Sequence, residues 1–289
     1  MTQLTEQDIL TGLKPRLPET SKRDYGKLAC VCGSTHYRGA ATLAVSAALR
    51  SGVGLVQLCS IPDVIAACAA GNPAATLLPL PETPSGAISA ESARTVCAAL
   101  RTADACLVGC GLGRSRDACD LVARLVLYAP CQLVLDADAL YAISRSRELL
   151  HKAKLPPILT PHIGEFARLF GTTVAEIDNR SAATLTLARD TESIVVLKGH
   201  TTYIAAPDGR LRSCTVGNAG MAKGGSGDLL AGLIGGLAAQ GYDPFFAACA
   251  GVLLAGTAGD LCAARLGMTG MVPGDQLSDL CAYYAAHGL

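Results

Sequence analysis

A glycine-rich loop followed directly by an apolar stretch is the strongest chemical signal in the sequence. Residues 217–228 read GNAGMAKGGSGD, and the helical pattern LLAGLI begins right after Asp228. Glycine lets the backbone approach a ligand closely, and the unpaired amides of a first helical turn attract anions. The segment therefore predicts an anion-binding corner suited to a phosphate group. Since glycine density alone is a weak signal, a flexible turn with a serine helix cap stays open.

Asp228 closes this loop where the helix begins, and two roles are open to it. An acidic residue in a first helical turn stabilises the helix by about 0.3–1 kcal/mol. A carboxylate beside a transferring phosphoryl group can instead accept a proton from a substrate hydroxyl. We favour the second role. Because a helix N-terminus favours the ionised form, we expect Asp228 to be a hydrogen-bond acceptor without a high pKa.

Two common phosphate motifs do not fit. In a Walker A loop the lysine follows the glycines and precedes Ser or Thr, whereas Lys223 precedes the pair Gly224-Gly225. The other glycine run, residues 109–113, has Arg114 where the dinucleotide fingerprint requires its third glycine.

Short apolar runs alternate with helical patterns along most of the chain. Six runs are predicted strands: residues 28–32, 53–59, 105–108, 132–135, 157–159 and 194–197. Strands separated by crossover helices imply a parallel sheet. Residues 201–215 are typical of an antiparallel hairpin, and helical patterns dominate afterwards. The proline-rich residues 79–84 are predicted as a surface loop only. Nothing marks a boundary, so we expect one α/β domain over residues 1–289.

Polar and glycine residues follow most of the predicted strands. They are Gly33, Ser34, residues 109–113, Asp136, Asp138, His162, Lys198 and Gly199. Ligands of open α/β sheets bind beyond the carboxyl ends of the strands. The sequence therefore predicts that these residues converge on one edge of the sheet. Asp136 and Asp138 stay unassigned, because they could bind magnesium through water or cap the following helix.

The amino-acid composition excludes several classes of function. Half of the residues are hydrophobic, 17% are charged and the formal net charge is zero, so neither nucleic acid nor an anionic membrane is an expected partner. The polar residues 1–22 show no secretory signal, which favours a cytoplasmic location. Thirteen cysteines without a C-x-x-C pair favour reduced thiols and no structural metal site. The apolar residues 245–259 are predicted to form a core or subunit-interface helix, being shorter than the roughly 20 residues of a membrane span.

Several blocks of the sequence together resemble the ADP-dependent NAD(P)H-hydrate dehydratases of the ribokinase-like superfamily. The blocks are AKGGSGDLLAG at residues 222–232, RGAA at 38–41, RSGVGLV at 50–56, GCGLG at 109–113, LDADAL at 135–140, LTPHIGEF at 159–166 and VLKG at 196–199. They follow the family's order over residues 22–280. The TPH-x-GEF run is specific to the family, whereas the others alone would indicate only the superfamily.

The resemblance implies a three-layer α/β sandwich, with a mostly parallel sheet between helices, and repair of hydrated nicotinamide cofactor. The S-form of NADH or NADPH hydrate would be returned to NADH or NADPH, with ADP and Mg²⁺, releasing AMP and phosphate. It also implies that the protein forms a homo-oligomer, specifically a tetramer. The implied substrate contacts are Ala40, Gly111, His162 and the catalytic Asp228. The implied nucleotide contacts are Lys198, Gly199, His200, Thr201, Thr202, Gly224, Gly225, Ser226 and Gly227.

The sequence departs from the family pattern at three places. Ser21-Lys22-Arg23 replaces His-Lys-Gly, Ala74 replaces a frequent glutamate after Pro73, and Ser226 replaces threonine. Two other functions stay open. A related small-molecule kinase, of the hydroxyethylthiazole or pyridoxine type, would use the same corner but leave a stable phosphate ester. A non-catalytic nucleotide sensor would keep the loop but would tolerate asparagine at position 228.

Overall fold

Ten strands form one sheet in the computed structural model, which describes residues 2–289. They are β1 (Thr2–Gln3), β2 (Lys27–Val31), β3 (Leu55–Ser60), β4 (Thr76–Pro79), β5 (Ala105–Val108), β6 (Gln132–Leu135), β7 (Ile158–Leu159), β8 (Ile194–Leu197), β9 (Thr202–Ala205) and β10 (Leu211–Cys214). Their order is β1-β10-β9-β8-β7-β6-β5-β2-β3-β4. Within residues 2–289, β9 alone pairs antiparallel with its neighbours, which are β8 and β10. The sheet is therefore mostly parallel, as predicted.

Helices cover both faces of the sheet. They are α1 (Glu6–Leu10), α2 (Arg38–Arg50), α3 (Pro62–Gly71), α4 (Ala93–Ala99), α5 (Arg116–Tyr128), α6 (Asp138–Ile143), α7 (Ile163–Phe170), α8 (Arg180–Asp190), α9 (Ser226–Ala239), α10 (Pro244–Leu266) and α11 (Gln276–Ala286). One layer contains α2, α3 and α9–α11, which pack on one another, and the other contains α4–α8. This is the α/β three-layer sandwich that the family resemblance implies.

The central strands are buried on both faces. Every residue of β5, β6 and β8 is buried, as are residues 28–31 of β2. Parallel strands between two helical layers read as continuous apolar runs because neither face meets water. The predicted strands at 105–108, 132–135 and 194–197 match the observed bounds, and the other predicted strands match within two residues.

Two edge strands differ from the prediction. Residues 76–79 form β4 beside β3, although no strand was predicted there and Pro79 begins the predicted surface loop of residues 79–84. Pro79 is tolerated there because it ends an edge strand, where the missing amide costs little. The two-residue β1 pairs with β10 and was not predicted, since so short a strand leaves no periodic pattern.

The apolar segment at 245–259 belongs to α10, a helix of 23 residues and longer than predicted. By length and composition alone it could cross a membrane, but 78% of its most apolar window is buried inside the protein. It packs against α9 and α11 and beneath the sheet. The prediction of a core helix is therefore confirmed.

Candidate active site

The polar strand ends meet at one edge of the sheet. β2 lies between β3 and β5, so the chain moves outward to β4 and then returns to the other side of β2. Such a change of direction leaves a crevice at the carboxyl ends of the two central strands. The carboxyl ends of β2, β5, β6, β7 and β8 carry the residues that the sequence analysis singled out, and the first turn of α9 lies against them.

The glycine-rich loop is fixed by its backbone and by one lysine. Gly225 precedes α9 with φ of +100°, and a Cβ there would lie 2.5 Å from Leu43 Cδ1. Only glycine fits this turn without strain. Lys223 donates to the carbonyls of Thr269 (2.8 Å) and Met271, so it anchors the loop rather than facing the anion-binding corner. The Ser226 hydroxyl is buried and has no hydrogen-bond partner within residues 2–289.

A lysine–aspartate pair lies beside this loop. Lys198 Nζ is 2.9 Å from Asp136 Oδ1, and the Thr160 hydroxyl donates to the same oxygen at 2.6 Å. Burial lowers the pKa of Lys198, but the carboxylates of Asp136 and Glu165 more than compensate, so its pKa is raised overall. Its side chain is 20% exposed, which excludes a plain surface lysine. A Cβ on Gly227 would lie 3.2 Å from the same ammonium. Lys198 therefore keeps its positive charge next to the anion-binding corner.

Asp228 lies in the first turn of α9, as predicted, but its ionisation differs from the expectation. Burial raises the pKa of Asp228 to about 6, and repulsion from Asp136 adds to this shift. The pKa of Asp228 is therefore raised above the ordinary value of 3.8, and the expectation of a carboxylate without a high pKa was wrong. The thiol of Cys110 donates to Asp136 Oδ2 at 3.7 Å, and its sulfur lies within 4.8 Å of an Asp228 oxygen. Asp228 is therefore a half-buried carboxyl group that titrates near pH 6.

His162 and Glu165 form a second pair at the end of β7. His162 Nδ1 accepts hydrogen bonds from the amides of Gly164 (3.0 Å) and Glu165 (3.3 Å), so its side chain caps α7. Its Nε2 lies 3.4 Å from Glu165 Oε1. Burial lowers the pKa of His162, with Lys198 contributing, and burial raises the pKa of Glu165 to about 7. The imidazole is therefore neutral, with its outer nitrogen turned to a buried carboxyl group.

Ala40 and Gly111 are neighbours at the start of α2. A Cβ on Gly111 would lie 2.8 Å from Ala40 Cβ, and φ of Gly111 is +63°, so both size and backbone favour glycine. Asp138 holds the adjoining loop, because it accepts from the amide of Gly113 (2.9 Å) and from Arg114 Nε (2.9 Å). Asp138 does not cap α6, which has no side-chain cap, so its observed role in holding the Gly113 loop is neither of the two left open by the sequence.

The remaining predicted residues lie at the entrance of the site. Gly199, His200 and Gly224 are exposed, and Thr201 and Thr202 are half-buried. The Thr202 hydroxyl donates to the carbonyl of Gly199 at 3.3 Å. Across the described residues, no hydrogen bond joins the side chains of His200 or Thr201 to the glycine-rich loop. The structure thus brings the predicted residues to one edge, but it gives these two no interaction with the loop.

Three residues of the site were not predicted to be functional from the sequence: Thr160, Cys110 and Glu165. Each follows or lies near a predicted strand end, which is a usable signal. Their partners could not be found, because the sequence does not state that β6, β7 and β8 are adjacent in the sheet.

Of the side chains in this site, only the carboxylates of Asp136 and Asp228 are suitable ligands for Mg²⁺. Asp136 Oδ2 is not engaged by Lys198, and it lies with an Asp228 oxygen and Cys110 Sγ in a group whose ligand atoms are all within 4.8 Å of one another. Mg²⁺ takes carboxylate, phosphate and water oxygens and not a thiol. The two carboxylates fit a Mg²⁺ ion that arrives with a nucleotide, whereas the thiol does not.

Comparison with known proteins identifies the family. The family model described as NAD(P)H-hydrate dehydratase matches residues 28–281. The bifunctional NAD(P)H-hydrate repair enzyme of Moorella thermoacetica is 41% identical over 257 residues, which are 89% of this chain and 48% of that protein. The chain therefore spans about half the length of that bifunctional relative.

Shorter relatives match over most of their length. The ADP-dependent (S)-NAD(P)H-hydrate dehydratase of Neisseria meningitidis serogroup B is 39% identical over 91% of this chain and 86% of its own length. The crystal structure of the ADP/ATP-dependent NAD(P)H-hydrate dehydratase of Bacillus subtilis, co-crystallised with ATP and Mg²⁺, superimposes with a TM-score of 0.84 at 29% identity. The match covers 99% of this chain and 98% of that one. With its glycine-rich loop, its aspartate and its ribokinase-like fold, this chain belongs to the NAD(P)H-hydrate dehydratase family.

Proposed function

We propose that this protein is an ADP-dependent (S)-NAD(P)H-hydrate dehydratase, which returns hydrated NADH or NADPH to the intact cofactor. The observation that carries the proposal is Asp228, a carboxylate with a pKa of about 6 in the first turn of α9. It lies between a glycine-rich corner suited to phosphate and the Lys198–Asp136 pair. A general base works best when its pKa lies near the operating pH, and this one does.

In the first step Asp228 accepts the proton of the hydroxyl at C6 of the hydrated ring. The hydroxyl oxygen then attacks the terminal phosphorus of ADP, a new P–O bond forms, and AMP leaves. The ammonium of Lys198 and the amides of the α9 N-terminus stabilise the charge on the transferring phosphoryl group. Positioning and electrostatics supply most of the acceleration in such transfers, and the base adds about 10²–10⁴-fold.

In the second step the C6–O bond breaks and phosphate leaves with the bonding pair. Loss of a proton from C5 then forms the C5–C6 double bond of the reduced nicotinamide. Overall, the hydrate and ADP give NADH or NADPH, AMP and phosphate. Phosphate is a far better leaving group than hydroxide, which is why the nucleotide is consumed.

The binding residues divide by their place around Asp228. Ala40, Gly111 and His162 would contact the hydrate, on the side of β2, β5 and β7. Lys198 to Thr202 and Gly224 to Gly227 would contact the nucleotide, and the buried Ser226 hydroxyl supports this role because it has a donor to offer. Mg²⁺, held by the nucleotide phosphates with Asp136 and Asp228, would neutralise phosphate charge. The preference for ADP over ATP also belongs to this proposal.

Product analysis separates this reaction from that of a small-molecule kinase. We expect one AMP and one free phosphate for each reduced nicotinamide formed, measured by chromatography of the reaction mixture. A kinase would leave the phosphate on its substrate. Accumulation of a stable phosphorylated nucleotide, without recovery of the reduced ring, would contradict the dehydratase assignment.

We further propose one domain over residues 1–289, a homotetramer and a cytoplasmic location. All thirteen cysteines are unpaired, which suits a reducing compartment. Four apolar side chains near the end of α10 support assembly, because each is more than 40% exposed: Leu261, Leu266, Met268 and Val272. Exposed apolar groups gathered on one segment are typical of protein interfaces.

A further inference from the structure

A thiol and two carboxylates meet beside the proposed base. Cys110 follows β5, Asp136 follows β6, and Asp228 lies in the first turn of α9. The ligand atoms of the three side chains all lie within 4.8 Å of one another. Cys110 and Asp136 are buried, and Asp228 is half-buried, so the group is open to solvent only on the Asp228 side.

The free atoms of this group are well defined. Asp136 Oδ1 accepts hydrogen bonds from Lys198 Nζ (2.9 Å) and from the Thr160 hydroxyl (2.6 Å). Asp136 Oδ2 accepts from the Cys110 thiol at 3.7 Å, and an Asp228 oxygen lies within 4.8 Å of the same sulfur. Each of the three residues therefore offers one donor atom to a common point without disturbing the ion pair with Lys198.

The donor types select a class of metal. Zn²⁺ and similar thiophilic ions bind thiolates and carboxylates together, in tetrahedral sites that often keep a water as fourth ligand. Mg²⁺ requires oxygen ligands and gains nothing from sulfur. Charge points the same way for the ion-bound state, since a thiolate and two carboxylates against the one ammonium of Lys198 leave two negative charges, which a divalent cation neutralises.

We propose that Cys110, Asp136 and Asp228 form a binding site for a thiophilic divalent cation such as Zn²⁺, which shares the two carboxylates with the Mg²⁺ that accompanies the nucleotide and adds the Cys110 sulfur as a ligand. Binding converts the Cys110 thiol to a thiolate and releases its proton to solvent. Because the ion occupies the carboxylate of Asp228, it inhibits turnover. The inhibition rests on the function proposed above, whereas the binding itself does not.

Cobalt is the direct probe of this site. The purified protein, in excess Mg²⁺ and without nucleotide, is titrated with Co²⁺ while the near-ultraviolet spectrum is recorded. We expect a sulfur-to-cobalt charge-transfer band that saturates at one ion per chain and disappears when Zn²⁺ is added. The band should be lost in Cys110→Ser and weakened in Asp228→Asn. It should persist in Cys106→Ser, which removes an equally buried thiol four residues earlier.

A second arm measures inhibition by Zn²⁺ at fixed Mg²⁺ and ADP, each variant being scaled to its own rate without Zn²⁺. The half-inhibitory concentration should rise at least about tenfold in Cys110→Ser, since losing even an outer partner of a metal site costs 10–100-fold in affinity. Circular dichroism checks the fold, and Cys110→Ala replaces the serine variant if that variant unfolds. A wild-type protein without the band, or a band that persists in Cys110→Ser, would overturn the site. A band in a protein without dehydratase activity would support the site and count against the proposed function.

Discussion

At the scale of single residues, the site holds more carboxylate than its one lysine can balance. Asp136, Asp228 and Glu165 are all near Lys198, and burial raises the pKa of Glu165 to about 7 and that of Asp228 to about 6. Asp136 is the partner that Lys198 and Thr160 hold directly. The remaining two carboxyl groups therefore titrate close to physiological pH, which is where proton transfer is most efficient.

The pKa of Asp228 predicts the pH dependence of the reaction. A raised pKa means that the carboxyl group is protonated below pH of about 6 in the folded protein, and a protonated group cannot accept the hydroxyl proton. We expect kcat/KM to be constant above that pH and to fall about tenfold per pH unit below it, as measured by initial rates at saturating nucleotide. A rate that stays constant from pH of about 7 down to about 4.5 would contradict the role of Asp228 as base.

At the scale of elements, the turn between β6 and α6 carries a strained residue. Ala137 has φ of +49° and ψ of −112°, and the amide of Ala139 donates to the carbonyl of Asp136 at 3.0 Å. This region of backbone space is almost restricted to glycine. The turn nonetheless places Asp136 toward Lys198 and Asp138 toward the loop of Gly113. The strain is therefore located between two carboxylates that hold the site together.

Replacing this residue should stabilise the protein. Strain at such a position costs on the order of 1–3 kcal/mol, whereas the added freedom of glycine in the unfolded chain costs about 0.4–1 kcal/mol. We expect Ala137→Gly to raise the free energy of unfolding by about 1 kcal/mol, measured by urea denaturation. The matched control, Ala142→Gly in the helix α6 that follows, should lower it by about 1 kcal/mol because its backbone is helical. Destabilisation by both changes would show that Ala137 is not strained.

The elements also show which parts of the fold the sequence predicts. The buried strands β5, β6 and β8 were predicted residue by residue, because apolar runs between turn signals are a local property. The edge strands β1 and β4 were not, since their pairing depends on partners distant in the sequence. The same limit explains the site. Asp228 and Lys198 could be predicted from local motifs, but the contacts of Asp136 with Lys198 and Thr160 required the strand order.

The ionisation of Asp228 shows a second limit. From the sequence, the helix N-terminus was the only visible influence on this carboxylate, and it favours the charged form. Burial and the neighbouring Asp136 act in the opposite direction and raise the pKa to about 6, but both are tertiary effects. A pKa near an active site is thus the property that sequence reasoning predicts least well, even where the residue itself is correctly chosen.

At the scale of the whole molecule, the exposed apolar segment adjoins the site. Lys223 ties the glycine-rich loop to the carbonyls of Thr269 and Met271, within the stretch that carries Leu266, Met268 and Val272. If subunits contact one another at the segment that carries Leu266, Met268 and Val272, assembly also stabilises the glycine-rich loop. The proposed tetramer would therefore stabilise the site, and the exposed apolar segment provides a surface for the subunit contact.

Light scattering tests this assembly. We expect a mass near four times the 29.5 kDa of one chain. Leu266→Glu combined with Met268→Glu should shift the mass toward that of a smaller species, because buried unpaired charges are costly. Leu155→Glu, at a comparably exposed leucine far from this segment in the sequence, should leave the mass unchanged. A monomeric mass for the unmodified protein would contradict the proposed assembly.

Recovery of reduced nicotinamide tests the central claim most directly. The protein is mixed with the S-form of NADH hydrate, Mg²⁺ and ADP, with ATP in a parallel reaction, and the return of the reduced-nicotinamide absorbance is followed. The account predicts recovery with ADP, and a rate at least about a hundredfold lower in Asp228→Asn, as the loss of a catalytic base implies. Folded protein that restores no absorbance with either nucleotide, or an Asp228→Asn variant as fast as the wild type, would contradict it.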